Sequence, residues 1–587
     1  MQNKIIYQLQ TCFRSSSLEE ANTLILQLLA WTRVSLSKSI PEGLRIDDVE
    51  ESDGLRALGV LNSLHKLPGI YAQAFSLDFA KRIDVVAVAN ALSLLKSLIA
   101  SGVMQGFDDL DLRDLDFSSR SGFTPIPTEI SVLMSTLANL SDVDDVYVPW
   151  DFYGQIASEC SSTAHSVYLE TPSSLMYPAL ISLIFDKKYE LHQADPVSSP
   201  SIIDGKLRKF DVAVSLPPLG MKYGREVVTN DWFSRFPEPT LSGSVLLIRH
   251  LLAVTKNRIV VGVPNSLLFS IGAELQLRNY LVNNGMVEAV ISLPSGLFDH
   301  HNVGISILVL NPQGGLENIR FINADQEKFK QPISRIRFKL SNLDELNDEI
   351  KHTGNTAFSA TVSKHEVLNN NCQLQVGRYV LPESTLNAKK ILENAPITKL
   401  KHMVKTVRPM LLKSNDAGIE VYEVSGTDFP VFGYINSPGR VVKVDQEVLN
   451  KSDEQFLKPY DIVIMVKGNA GKVGIIGEAA PAAGENGWVI GQSAIILRSD
   501  SDKNEVAKAL YMQLRSALGQ ELLKGIVSDA TIPLIQLREL NELNLLKLDA
   551  QRNSEVSAIL DCESEMQAQI SVIQKQQAEL THHLWTI

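Results

Sequence analysis

Hydrophobic and polar positions divide the chain into five stretches of different rhythm. Through about residue 120 the apolar residues recur at helical spacing. Leu24, Leu26, Leu28 and Leu29 cluster in ANTLILQLLAW, and Val85, Val86, Val88, Leu92, Leu95 and Leu98 follow further on. Such spacing predicts helices with one buried face, so residues 1–120 read as a helical domain without candidate chemistry. From 121 to 375 short β-rich runs (DVYVP, HSVYLE, FDVAVSL, RIVVGVP, VEAVISL, ISILVL) alternate with helical patterns such as AELQLRNYLVNNG. There Leu275, Leu277 and Leu281 precede a terminating Asn284–Gly285. Strand alternating with helix predicts an α/β domain on a mostly parallel sheet. Residues 376–395 read as a linker. Residues 396–548 are β-rich and punctuated by the turn sequences INSPG, GNAGKVG and PAAGENGW. The final stretch, 549–587, is the most regular. Val556, Ile559, Met566, Ile570, Ile573, Leu580 and Leu584 take the a and d positions of a heptad, with Glu563 and Gln577 as polar exceptions. A stripe this narrow predicts one strand of a coiled coil or helical hairpin, joining a second copy or a partner helix. The alternative is a helix packed on its own domain.

Composition changes this picture in two ways. A chain of 587 residues holds several domains, and a hydrophobic fraction of 44% with 21% charged residues is that of an ordinary globular protein. The formal net charge of −12 excludes a general polyanion binder, so contact with nucleic acid needs a local basic patch. One candidate runs from Pro396 to Asn415. It holds no acidic residue but carries Lys399, Lys401, His402, Lys405, Arg408 and Lys413. Lys467, Asn469 and Lys472, in and beside the turn GNAGKVG, are further candidates for phosphate contact. The competing reading is a solvated charged face, and GNAGKVG lacks phosphate-loop spacing.

The four cysteines, Cys12, Cys160, Cys372 and Cys562, show no CxxC spacing. That argues against a zinc site or a disulfide framework and fits a reducing cytosol. The neighbouring pairs His300–His301 and His582–His583 read as loop and solvent-facing residues, so no metal is expected. The first residues carry no long apolar stretch, and no run approaches the ~20 apolar residues of a membrane span. A cytoplasmic protein with no membrane partner is expected. Neither a nuclease set, a Ser/His/Asp set nor a Walker motif emerges.

The stretch VGVPNSLLFSIGAELQLRNYLVNNGMVEAVISLPSGLFDHHNVGISILVLNP, residues 261–312, resembles the modification (methylase) subunit of type I DNA restriction–modification systems. Gly122-Phe123-Thr124-Pro125, followed by Ile130, Leu133 and Met134, resembles a segment of that family that helps hold S-adenosylmethionine. Further on, Leu457-Lys458-Pro459-Tyr460-Asp461-Ile462, the turn Gly468–Gly474 and Thr531-Ile532-Pro533 resemble half of a specificity subunit. The resemblance implies a multidomain α/β chain: an N-terminal helical domain (1–120), a Rossmann-like methyltransferase domain (121–375), the linker, an α/β target-recognition-like domain (396–548) and a coiled-coil or spacer helix (549–587).

The same resemblance locates a site, and there this sequence departs from the family. The family's cofactor loop, "DP.CG.GG", corresponds here to Val148-Pro149-Trp150-Asp151-Phe152-Tyr153-Gly154. Val148 stands at the Asp position and only Gly154 survives, so bulky rings are expected to fill the volume of the methionine part of the cofactor. Glu170 matches the carboxylate that would accept from the ribose hydroxyls, and Asp195 the one that would meet the cofactor's adenine. Both also read as plain surface acids at strand ends. The family's catalytic clamp, "FD.V.ANPPFG", becomes Phe210-Asp211-Val212-Ala213-Val214-Ser215-Leu216-Pro217-Pro218-Leu219-Gly220. Leu216 replaces the Asn that grips the adenine amine and Leu219 the aromatic that stacks on the flipped base, and leucine neither donates nor accepts. Losing groups that act together removes nearly all rate.

The resemblance therefore implies a DNA-binding recognition and assembly subunit of a restriction–modification or phage-defence complex, on an inactive methyltransferase scaffold without cofactor. Double-stranded DNA and other subunits of such a complex would be its partners. Two alternatives stay open: an active N6-adenine DNA methyltransferase using S-adenosylmethionine, and a protein-interaction scaffold that does not touch DNA.

Overall fold

The computed structural model describes residues 3–14, 17–78, 83–102, 104, 107, 110, 125–298, 303–409, 418–445, 453–528 and 533–582. They fall into two compact units, Met1–Val380 and Leu381–Ile587.

The first unit opens with the helices Asn3–Cys12, α1 (Leu18–Leu36), Gly54–His65, Ile70–Ala74 and α2 (Val85–Ala100). The Ser17 hydroxyl accepts from the Glu20 N–H and starts α1. Apolar on most of its circumference, with Leu24, Ile25, Leu28, Leu29 and Trp31 buried, α1 is the central helix of this group. The helices α3 (Thr128–Ala138), α4 (Gln155–Cys160), α5 (Met176–Phe185), α6 (Gly243–Val254) and α7 (Ala273–Asn283) follow. The N-terminal helices share one core with Ala179, Leu180, Ile181 and Ile184 of α5, and Thr23 Oγ1 lies 3.0 Å from Tyr177 Oη. The helical region is thus continuous with the α/β region and does not stand apart from it. An amphipathic helix must bury its apolar face, and α5 supplies the surface.

The α/β region is built on nine strands: β1 (Asp145–Pro149), β2 (Ser166–Thr171), β3 (Glu190–Gln193), β4 (Phe210–Ser215), β5 (Thr255–Pro264), β6 (Val287–Ser292), β7 (Ile305–Leu310), β8 (Asn318–Asn323) and β9 (Ser359–Ser363). Their order across the sheet is β9-β8-β6-β7-β5-β4-β1-β2-β3. The strands from β3 to β5 run parallel. β7 enters antiparallel between β5 and β6, and β9 closes the far edge antiparallel to β8. The sheet is therefore mixed. Two apolar layers cover it. One contains α6 and α7 residues such as Leu246, Leu251, Leu277 and Leu281; the other contains Ile130, Leu133 and Met134 of α3 and Ile156 of α4. The order 3-2-1-4-5 reverses direction between β1 and β4. The carboxyl ends of strands at such a switch point form the crevice where doubly wound sheets bind ligands.

The second unit begins with α8 (Glu383–Glu393), inside the stretch read as a linker. Ser384 and Thr385 hydroxyls each donate to Glu521 at 2.8 Å, joining α8 to a helix over Ala517–Lys524. The strands β10 (Val404–Val407), β11 (Ile419–Val424), β12 (Arg440–Val444), β13 (Ile462–Met465), β14 (Val473–Ile475), β15 (Trp488–Ile490) and β16 (Ala494–Ser499) form two small sheets, β10-β16-β13-β14 and β12-β11-β15. The helix α9 (Asn504–Arg515) lies against the long terminal helix α10 (Ala550–His582). The four cysteines are unpaired. Among the described residues no helix is long and apolar enough to cross a membrane, and no cluster of three or more His, Cys, Asp or Glu is placed to hold a metal ion.

Candidate cofactor and target-base site

At the switch point β1 ends in Pro149 and the chain turns through Trp150, whose φ is +67°. A bulky residue in the left-handed region is held there only by its surroundings. The Trp150 N–H donates to the Glu170 carbonyl at 2.8 Å, and its ring is 2% exposed in the core containing Tyr147, Tyr168 and Phe210. The next residue, Asp151, is buried. Its carboxylate accepts from the backbone N–H groups of Gly154 (2.9 Å), Gln155 (3.1 Å) and Ala157 (2.9 Å). Burial raises its pKa to about 6, while those amides pull it down. The amides at the start of α4, which a small-residue loop would leave open to a ligand, are thus taken by the chain's own carboxylate.

Gly154 has φ +77°, and a Cβ there would lie 2.6 Å from Tyr189 Oη and 3.0 Å from Pro178 Cα. The Tyr189 hydroxyl donates to the Pro178 carbonyl at 2.6 Å. The glycine permits a tight left-handed turn against α5. The three rings of the loop, expected together in the cofactor volume, diverge. Trp150 enters the sheet-side core, while Tyr153 turns to Tyr177, ring centroids 5.2 Å apart, in the helical core. Phe152 packs against both cores. Of the upstream segment, Phe123 and Thr124 lie outside the described residues. Pro125 is half-buried, and Gln155 pins the following residue, bonding both the N–H and the carbonyl of Ile126 at 2.7 and 2.6 Å.

Glu170, at the end of β2, is 0% exposed. It is the receiving end of a buried chain. The Tyr147 hydroxyl donates to its carboxylate. Tyr147 Oη lies 3.2 Å from His250 Nε2, and His250 Nδ1 lies 2.9 Å from Arg235 Nη1. Arg235 pairs with Asp231 at 2.8 Å and donates to the Val197 carbonyl at 2.8 Å. Burial and the neighbouring guanidinium lower the His250 pKa to about 3. The imidazole is therefore neutral, and with Arg235 donating to Nδ1 its proton is assigned to Nε2, facing Tyr147. Burial raises Glu170 to about 7, against the pull of the Tyr147 hydrogen bond. Asp195, in the loop after β3, accepts from the N–H groups of Val197 (3.0 Å) and Ser198 (2.8 Å), and the Tyr223 hydroxyl donates to it at 3.3 Å. Each carboxylate expected to read a nucleoside is capped by a tyrosine.

Leu216, half-buried after β4, leans on β5, where a Cβ at Gly262 would lie 2.1 Å from its Cδ1. Pro217 is buried and Pro218 half-buried. Leu219 lines a cavity of about 600 Å³ together with Met221, Ser242, Pro264, Leu267 and Glu274. The clamp positions thus border an open cavity.

In the second unit, the stretch chosen because it lacks acids acquires them from elsewhere. Lys399 and Lys401 both pair with Glu542 at 2.6 Å, and Lys405 pairs with Glu454 at 2.8 Å. The two lysines hold the Glu542 pKa down to about 2. Lys472 donates to the Gly426 carbonyl at 2.5 Å. Arg408, Lys467 and Asn469 are exposed. Lys413, Thr531, Ile532, His300 and His301 lie outside the described residues.

Sequence reasoning missed Tyr147, Tyr223, Arg235 and His250, whose separations along the chain leave no local signal. Asp151 was findable, since an Asp just before a helical run is an N-terminal capping pattern.

The mixed central sheet with helices on both faces is an α/β architecture similar to that of methyltransferase structures. Residues 179–388 match the family model described as N-6 DNA Methylase. The chain is 21% identical over 364 residues to the methylase subunit of the type I restriction enzyme MjaVII of Methanocaldococcus jannaschii, covering 54% of this chain and 63% of that protein. It is 26% identical over 208 residues to the MpnII methylase subunit of Mycoplasma pneumoniae, covering 34% and 37%. The chain thus spans less than two thirds of these curated relatives. A crystal structure of a type I methyltransferase subunit from Streptococcus thermophilus superposes with a TM-score of 0.54 at 14% identity, over 65% of this chain and 99% of that one, a likeness of fold. Residues 179–388 are thus similar to the N6-adenine methyltransferase family that includes type I restriction–modification methylase subunits.

Proposed function

We propose that this chain is a DNA-binding recognition and assembly subunit of a restriction–modification or phage-defence complex, built on a methyltransferase scaffold that transfers no methyl group. One observation carries the proposal. Most of the described polar groups expected to hold the cofactor are engaged by the chain itself: the loop amides by Asp151, one carboxylate oxygen of Glu170 by Tyr147, and Asp195 by backbone N–H groups and Tyr223, while Glu170 Oε1 is buried without a hydrogen-bond partner. A ligand would have to break these bonds, and opening buried polar groups costs about 1–3 kcal/mol each. The residues present do not fit S-adenosylmethionine. The clamp positions Leu216 and Leu219 offer the base amine no acceptor.

In this proposal residues 121–375 serve as scaffold and duplex clamp. Residues 396–548 act as the recognition domain, with Lys399, Lys401, Lys405, Arg408, Lys413, Lys467, Asn469 and Lys472 as candidate phosphate contacts that position it. The rival reading, an active N6-adenine methyltransferase, draws support from the retained carboxylates and the cavity beside Leu219. Calorimetric titration with S-adenosylmethionine decides between them. No heat of binding is expected for the wild-type chain, and micromolar affinity would end the proposal.

A further inference from the structure

From Lys328 to Leu343 the chain holds no acidic residue and carries Lys328, Lys330, Arg335, Arg337 and Lys339. The run folds as an antiparallel hairpin, Lys330–Pro332 against Phe338–Leu340, with Gln331 opposite Lys339. Neighbouring residues on a strand point to opposite faces. Phe338 and Leu340 turn together toward the core of the sheet, so Arg337 and Lys339 turn away from it. Arg335 is exposed in the tip, between Ile333 and Ile336, which are 64% and 59% exposed. Two of the five cations are neutralised within the chain, Lys328 by Glu345 at 2.6 Å and Lys330 by Asp325 at 3.2 Å. Among the described residues no acid pairs with Arg335, Arg337 or Lys339. The Arg337 guanidinium donates to the Phe298 carbonyl, a neutral acceptor that leaves its charge uncompensated.

The hairpin is fixed at a particular place on the sheet. The Phe338 N–H donates to the Gly296 carbonyl at 3.0 Å, in the loop that leaves the carboxyl end of β6. That end adjoins the end of β5: the Leu293 N–H donates to the Ile305 carbonyl at 3.0 Å, and Ile305 pairs with Pro264. β4 ends alongside β5, with Ser215 paired to Val261. The hairpin therefore stands on the same edge of the sheet as Leu216 and the cavity beside Leu219.

We propose that Arg335, Arg337 and Lys339 form a ridge that binds the phosphate backbone of duplex DNA. The proposal rests on the reading of the chain as a DNA-binding subunit and names the surface by which its first unit holds the duplex. In a chain of net charge −12 a polyanion is admitted where cations stand uncompensated. The guanidinium fork matches phosphate oxygens. Cations on alternate strand positions lie about 6.8 Å apart along one face. Such an open row suits a polymer of phosphates, whereas a single small anion needs a closed cradle. A duplex lying across this edge would meet the ridge with its backbone and the cavity beside Leu219 with its bases.

Fluorescence anisotropy of the full chain with a labelled duplex, from about 50 to 200 mM salt, tests it. In Arg335→Gln/Lys339→Gln the slope of log affinity against log salt should flatten by up to about 0.9 for each charge removed. Arg335→Lys should keep the wild-type slope, because the salt dependence counts charges. Both substitutions leave the buried Phe338 and Leu340 in place, so the wild-type thermal midpoint is expected. Lys188→Gln, exposed just before β3 at the opposite edge of the sheet, should change nothing. An unchanged slope in a double variant that still binds duplex overturns this proposal and leaves the DNA-binding reading standing. A wild type that does not bind duplex overturns both. Equal flattening in Lys188→Gln also overturns the ridge, since the loss would then reflect net charge alone. So does retention on phosphatidylserine vesicles that the double variant loses while its duplex affinity is unchanged.

Discussion

Replacing Glu170 by glutamine isolates the cost of the carboxylate buried at the end of β2. In the folded chain its pKa is about 7, raised by burial from an ordinary 4.5. Between those two values the folded chain keeps a proton that the unfolded chain has released. Stability therefore falls as pH rises through this window and levels off above pH 7. At 1.36 kcal/mol per unit the whole loss is about 3 kcal/mol, of which about 2–3 kcal/mol falls between pH 5 and pH 8. Asp151, raised to about 6, loses stability in the same direction over a lower window, and His250, lowered to about 3, works the opposite way below pH 6.5. Both are common to the two proteins and drop out of their difference. The Glu170→Gln amide still accepts from the Tyr147 hydroxyl but carries no charge at any pH. Urea unfolding followed by tryptophan fluorescence at pH 5, 6, 7 and 8 should show the variant gaining on wild type as pH rises. Parallel pH profiles would refute the buried, tyrosine-capped carboxylate. The same assay reports on the cofactor. A donor bound through Glu170 at a hundred times its Kd would stabilise wild type by about 2.7 kcal/mol, and none of that shift is expected.

Restoring the family's clamp with Leu216→Asn/Leu219→Phe should yield no methyl transfer from labelled donor to plasmid DNA, because the loop around Asp151 and Trp150 stays closed; measurable transfer would show that the loop opens. Glu542→Gln should release Lys399 and Lys401 and tighten duplex binding several-fold at low salt. The slope of log affinity against log salt should steepen by up to about 0.9 for each lysine that reaches a phosphate. Lys401→Glu/Lys405→Glu should flatten that slope, and identical slopes in all three proteins would show that this stretch does not touch DNA.

Much of the architecture was legible along the chain, because strand and helix periodicities are local. The runs DVYVP, FDVAVSL, RIVVGVP, VEAVISL and ISILVL each became a strand of the central sheet. The heptad over 549–587 became one helix through His582. Leu216 and Leu219 could be read as departures from the family because a motif is a contiguous string.

Only the tertiary structure decided where side chains go once elements distant in sequence meet. It turned Tyr153 away from the loop and Trp150 into the sheet-side core. It brought His250, 103 residues away, to the Tyr147 hydroxyl. It set Glu542 beside lysines whose own segment holds no acid, and it buried Ser557 and Leu560 of α10 while leaving Ile559, Ile570 and Ile573 exposed. Periodicity records that a residue is to be buried or paired. The partner is set by the crossing of β1, β2 and β4 and the layering of helices on the sheet, and those long-range choices leave no mark at fixed spacing in the chain.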